Sequence, residues 1–219
     1  MSAILSRQLA AIQSALRDEG LDGWLLYDAH GLNPIASQIA GVEGVVTRRW
    51  FALIPAQGEP RFLFHRIENL AFVPMPGKKR VYRTWQSLDE GIDWVLDGCR
   101  RVAMEYSPDN AIPYVARVDA ATIEKVRARK VEVASSADLV ARFLATWSPA
   151  QLESHYRAAK ALLEIKDLAF ALIADNVRAK AALSEHDVAQ FMRGEFARRN
   201  MVNHNEGPIC AVDGNAGNP

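Results

Sequence analysis

Cysteine is scarce in this 219-residue chain: there are two, Cys99 and Cys210, far apart. They form no C-x-x-C pair and have no histidine at ligand spacing. The sequence therefore offers neither a zinc site nor a disulfide framework, and both read as reduced thiols of a cytosolic protein. Long apolar runs are also missing. No stretch approaches the ~20 apolar residues that cross a bilayer, and Met1 to Glu19 is a charged amphipathic stretch without the apolar centre of a secretory signal. The cytoplasm is the expected compartment, with no membrane partner. An excess of charge is lacking too, since 26 Lys and Arg balance 26 Asp and Glu. That balance gives no support to a basic face, so no nucleic-acid partner is expected. G-x-S-x-G, P-loop, G-x-G-x-x-G and zincin motifs are absent, which removes the commonest signatures of nucleophile, phosphate and zinc chemistry.

What is present reads as an α/β layer. Leu5, Leu9, Ile12 and Leu16 step by four, three and four, one face of a helix that Gly20 stops. Gly23 to Tyr27 is a buried strand, followed by a turn-rich loop from Asp28 to Asn33, where Pro34 holds Asn33 extended. Arg49 to Ile54 and Arg61 to Phe64 pair as a hairpin across Gly58. Alternation predicts a strand over Arg80 to Trp85, then a helix over Leu88 to Leu96, a strand over Arg101 to Glu105, a helix from Pro113 to Arg129, a strand at Val131 to Val133 and a helix over Asp138 to Ala145. Strands separated by helical crossovers, with one hairpin, indicate a mixed sheet flanked by helices.

A boundary falls at Trp147-Ser148, dividing the chain into 1–147 and 148–219. Ser148-Pro149-Ala150-Gln151 is a capping-box start, and the pattern behind it can run to Ala182 as one helix or as two joined at a kink. Ser184 caps another helix, with Asp187 in its first turn and Gly194 weakening its middle, where close backbone packing is one reason to keep a glycine. Gly207 to Val212 reads as a strand that leads into a Gly/Asn turn. Asp213 to Asn218 lacks the regular acidic spacing and terminal glutamate of a calcium loop. The chain looks like one complete domain and the opening of another. On that reading Leu162, Ile165, Ala169, Phe170, Ile173 and Val177 form an apolar face, partly exposed in a monomer.

Residue chemistry alone names no reaction. His155 and His186 read as surface side chains, His65 as a hairpin edge and His30 as part of a turn. Arg48 and Arg49 could grip a carboxylate with paired hydrogen bonds, or could be surface charge at a strand edge.

The order of features nevertheless resembles a family. The N-terminal helix, Gly23-Trp24-Leu25-Leu26-Tyr27, the Asn33 loop, the Arg49–Ile54 strand and Val102-Ala103-Met104-Glu105 are similar to the N-terminal domain of the creatinase, prolidase and aminopeptidase P family. Gln151 to Ala161, Ala169-Phe170, Ser184 to Val188 and Gly207 to Pro219 resemble the first helices, strand and turn of that family's pita-bread domain. The resemblance implies an α/β N-terminal domain followed by an incomplete α+β pita-bread domain. It implies the N-terminal portion of an Xaa-Pro peptidase-like metallohydrolase, a homodimer acting on a peptide.

It also implies two divalent metal ions (manganese, cobalt or zinc) in the longer protein, held by two Asp, one His and two Glu and activating a shared water. All five ligands would lie past Pro219, so no catalytic or metal-binding residue carries over to this chain, which is expected to be inactive by itself. Arg48 and Arg49, and near the cleft His204 and Asn215, are the candidate substrate-binding residues. Two other implications stay open: a non-catalytic, peptidase-like interaction module and a metal-free creatinase-type hydrolase.

Overall fold

A computed structural model describes residues 4–203 and 207–217. The chain divides into two compact units, Met1–Thr146 and Trp147–Pro219. The first contains α1 (Ile4–Asp18), β1 (Gly23–Asp28), α2 (Pro34–Ala40), β2 (Trp50–Pro55), β3 (Arg61–His65), α3 (Asn69–Phe72), β4 (Lys78–Tyr82), α4 (Trp85–Leu96), β5 (Arg101–Met104), α5 (Ala120–Arg127), β6 (Glu132–Ser135) and α6 (Ala137–Val140). The six strands form one mixed sheet in the order β4-β3-β2-β1-β5-β6.

β1 and β2 are buried at every position, because the sheet is covered on both faces. Period-two alternation sends successive side chains to opposite layers. Trp24 and Leu26 join Leu5, Ile12 and Ile39 of α1 and α2 on one face. Leu25 and Tyr27 join Leu88, Ile92 and Ile123 of α4 and α5 on the other. β4 is an edge strand, paired only with β3, and its Lys78 and Lys79 are exposed.

In the first unit, elements differ from the sequence reading or were not read from it. The segment 34–40 is a helix, because Asn33 Oδ1 accepts the Ala36 N–H at 3.2 Å, Pro34 suits the first turn and Gly41 closes the last in a left-handed conformation (φ +78°). β4 ends at Tyr82, and α4 starts at Trp85, because Thr84 and Ser87 form a reciprocal capping box that commits Trp85 to the helix. α5 begins at Ala120 and not near Pro113, because Asp119 is its N-cap, accepting the Thr122 N–H at 2.9 Å.

The second unit contains α7 (Pro149–Arg178) and α8 (Glu185–Arg198), each opened by the serine cap its sequence suggests. Ser148 pairs with Gln151 and Ser184 with Asp187 in reciprocal capping boxes. α7 is a single helix of 30 residues. The two helices pack on each other, and Ile165 and Ala169 are buried, contrary to their expected exposure, as is Val188 of α8. Leu162, Phe170 and Val177 are exposed as expected. A Cβ built on Gly194 would meet nothing within 4 Å, so close packing does not account for this glycine.

Residues 207–212 do not form the expected strand. Extended backbone needs partners for its N–H and C=O groups, and among the described residues no strand lies in this unit to supply them. The Val212 N–H instead donates to the Glu185 carboxylate at 2.6 Å, and Asp213–Gly217 winds into a 3-10 turn. Among the described residues no helix is long and apolar enough to cross a membrane.

Candidate functional site at the carboxyl edge of the sheet

β1, β5 and β6 are mutually parallel, and β3 and β4 run the same way because β2 is antiparallel to both β1 and β3. The carboxyl ends of five strands and the start of β2 therefore share one edge. The chain adds strands outward from β1 to β4, then crosses to β5 on the other side of β1. In open α/β sheets such a switch point, beyond the carboxyl ends, is where ligands bind.

Here the switch point is filled by a buried polar network that the sequence reading did not single out. Glu105, one residue past β5, is 0% exposed. Its Oε1 accepts the Trp24 indole N–H at 2.7 Å and the Ser136 hydroxyl at 3.2 Å, and its Oε2 accepts Asn33 Nδ2 at 2.7 Å. Asn33 Nδ2 also donates to the Tyr27 carbonyl at 2.8 Å. The buried Asp28 carboxylate accepts the N–H groups of Gly31 at 3.1 Å and Asn33 at 2.8 Å. Burial pushes the Glu105 carboxyl up to about 7, against the three donors, which favour its ionised form. A charged residue closing the apolar run Val102-Ala103-Met104 was the one hint in the sequence. Its partners lie 81, 72 and 31 positions away and no spacing rule connects them.

Beside this network the edge is cationic and apolar. Arg48 and Arg49 immediately precede β2 and are exposed. Their backbone is fixed: Glu68 Oε1 accepts the N–H groups of Thr47 at 3.0 Å and Arg48 at 3.1 Å, and the Tyr82 hydroxyl donates to the Arg49 carbonyl at 2.8 Å. Arg48 Nη1 donates to Thr47 Oγ1 at 2.8 Å. Among the described residues neither guanidinium is ion-paired. His65, paired with Tyr82 across β3 and β4, sets its ring 5.1 Å from the phenol ring and accepts the Ile67 N–H at 3.3 Å. His30 is an exposed turn residue in the left-handed region (φ +64°). Leu70 and Trp85 are 86% and 69% exposed.

Of the four candidate substrate-binding residues, the structure brings Arg48 and Arg49 together at one strand end. His204 lies outside the described residues. Asn215 belongs to the second unit, and its amide is already engaged by both Glu185 carboxylate oxygens, at 3.1 and 3.0 Å. Within that unit α7, α8 and residues 209–212 enclose an apolar groove of about 620 Å³, lined by Phe170, Ile173, Val177, Val188, Met192 and Ile209 among others. Among the described residues no group of three His, Cys, Asp or Glu is placed to hold a metal ion.

No protein-family model matches the sequence, and no curated protein does. Solved structures do match. Dipeptidase PepE from Mycobacterium ulcerans superposes with a TM-score of 0.60 at 16% identity, over 89% of this chain and 49% of its own. A recombinant prolidase from Thermococcus sibiricus gives 0.57 at 11% identity, over 91% of this chain and 51% of its own. An Xaa-Pro dipeptidase from Bacillus anthracis gives 0.54 at 17% identity, over 89% of this chain and 49% of its own. The chain thus spans about half the length of the solved structures it matches. At these identities the likeness is one of fold, and the fold is that of prolidases and Xaa-Pro dipeptidases, as the sequence resemblance implied.

Proposed function

We propose that this chain is the N-terminal portion of an Xaa-Pro peptidase-like metallohydrolase of the aminopeptidase P and prolidase type. The first unit is its creatinase/prolidase-like N-terminal domain and the second opens the pita-bread catalytic domain. The observation that carries the reading is the shared fold across nearly the whole chain and half of each dipeptidase. In the assembled enzyme, a cytoplasmic homodimer, the N-terminal domain acts on substrate through its carboxyl edge. Arg48 and Arg49 have fixed backbones and, among the described residues, guanidinium groups without an ion pair, the arrangement needed to receive a peptide carboxylate by paired hydrogen bonds.

The metal pair belongs to the longer protein. The described residues bring no three ligands together, so they do not fit a two-metal centre, and this chain's part is binding and positioning. The resemblance assigns manganese, cobalt or zinc to that centre. A second reading, a peptidase-like interaction module, is favoured by one observation, the open apolar groove of the second unit.

The test supplies manganese, cobalt or zinc with Xaa-Pro dipeptides to the 219-residue chain and to a form extended to the relatives' length. The chain alone should give no turnover. The extended form should hydrolyse the dipeptide, and replacing Arg48 and Arg49 with alanine should raise KM more than it lowers kcat. Metal-dependent turnover by the short chain would overturn the division of labour. An extended form that binds peptide without cleaving it would favour the interaction module.

A further inference from the structure

The donors around Glu105 come from three separate pieces of the first unit: Trp24 on β1, Asn33 at the start of α2 and Ser136 at the start of α6. The residue is held from behind as well, its carbonyl accepting the N–H groups of Arg117 at 2.9 Å and Val118 at 3.1 Å. Indole N–H and amide NH₂ groups can only donate, whereas a serine hydroxyl donates or accepts. Asn33 cannot turn its amide over, because its Oδ1 is occupied by the Ala36 N–H. The site therefore hydrogen-bonds Glu105 in both protonation states, but the donors are neutral and, among the described residues, no ion pair balances the charge of the carboxylate. As a carboxylate it takes three donors; as an acid its O–H donates a hydrogen bond to Ser136 Oγ while Trp24 and Asn33 go on donating.

We propose that Glu105 is a proton-operated latch on the 29–33 loop and the first turn of α2 at the carboxyl edge. Protonated, it sits hydrogen-bonded away from bulk solvent and the loop is closed. Deprotonated, it places a full charge out of reach of bulk solvent, and the loop opens to hydrate it.

The surrounding charges do not account for the effect. On β1 the Asp28 carboxylate is occupied by two amides, and in the loop His30 is exposed. α2 has no titratable residue. In the stretch leading to α5, Arg117 donates to the Tyr114 carbonyl at 3.0 Å, Asp109 is exposed and Asp119 caps the helix. On α6, Asp138 is exposed. None of these is among the leading causes of the raised Glu105 affinity for its proton, which burial dominates. The direction follows by linkage. The closed site binds the proton more tightly than an open, hydrated one, so opening becomes easier as pH rises from the ordinary 4.5 towards about 7.

Hydrogen exchange followed by NMR tests the latch. Corrected for intrinsic rates, protection of the Gly31, Leu32, Asn33 and Ala36 amides should fall about tenfold between pH 5.5 and 8, while β2 and β3 amides stay constant. The Glu105 carboxyl carbon should titrate over the same interval. Glu105→Gln, which cannot ionise, should abolish the fall. Constant loop protection, a fall that persists in the variant, or a carboxyl already ionised at pH 5.5 with the loop closed would each overturn the proposal. Should the variant not fold, the carboxyl titration and the exchange of the unaltered protein decide by themselves.

Discussion

The hydroxyl of Tyr82, the last residue of β4, donates to the Arg49 carbonyl at 2.8 Å, reaching past β3 to the residue that precedes β2. The bond fixes the backbone of a candidate carboxylate-binding arginine from a strand that is not its neighbour. Burial, opposed by the nearby Arg49 charge, pushes the phenol up to about 12. Its stabilising contribution is therefore complete below the ordinary value of 10 and is lost as pH rises from 10 to about 12. Tyr82→Phe should cost about 1 kcal/mol in denaturant unfolding near neutral pH. It should also delete a phenol titrating near 12 from an absorbance titration at 295 nm. An unchanged titration curve would refute the assignment.

Two glycines should answer the same substitution with opposite signs. Gly91 lies inside α4, where that helix rests on β3, and a Cβ there would run into Leu63, standing 2.8 Å from its Cδ2. Gly91→Ala should destabilise the first unit by roughly 1–3 kcal/mol despite alanine's better helix propensity. Gly194 of α8 has open space around it, so Gly194→Ala should stabilise by roughly 0.5–1 kcal/mol. Urea melts of both variants settle the pair.

Limited proteolysis should find the stretch between the units first. Thr146, Trp147 and Ser148 are exposed and precede the capped start of α7, and exposed connecting backbone is where nicking concentrates. The expected early product ends within 146–149, and residues 1–147 should fold when expressed alone. A first cut inside β1 or β2 would count against independent folding.

Exposed apolar side chains on α7 should make this chain associate. Phe170 and Val177 are 63% and 71% exposed beside the apolar groove, and contiguous patches of this kind usually mark contact surfaces. Light scattering should show concentration-dependent dimers, and a hydrophobic dye should bind. Phe170→Ser with Val177→Ser should suppress both. A dye-silent monomer across micromolar concentrations would refute this expectation.

Most of the sheet was legible in the sequence, for a physical reason. β1, β2 and β5 are buried on both faces and so appear as unbroken apolar runs, and the serine caps of α7 and α8 are written within four residues. Where local signals competed, the outcome was less legible. The alternation of Arg80 to Trp85 looked like strand throughout, yet the Thr84–Ser87 capping box took its end. The Asn33 cap, Pro34 and Gly41 did spell out a short helix, but the turn signals around them concealed it. Residues 207–212 have strand composition but, among the described residues of their unit, no strand to pair with, and composition alone cannot provide a hydrogen-bonding partner. The Glu105 network was the least legible, because its contacts exist only once β1, β5 and β6 lie side by side. Arg48 and Arg49 were visible as an adjacent pair; their fixing by Glu68 and Tyr82 was not.

The edge strand β4 carries a further consequence. It carries Lys78, Lys79 and Arg80 in succession, so another copy of β4 adding to it in parallel register would bring ammonium and guanidinium groups opposite their own kind. Edge cations are a common defence against sheet-to-sheet growth. The β4 end of this sheet therefore resists templating fibrils, and material that unfolds partially should precipitate through its apolar helix faces before it polymerises through this strand.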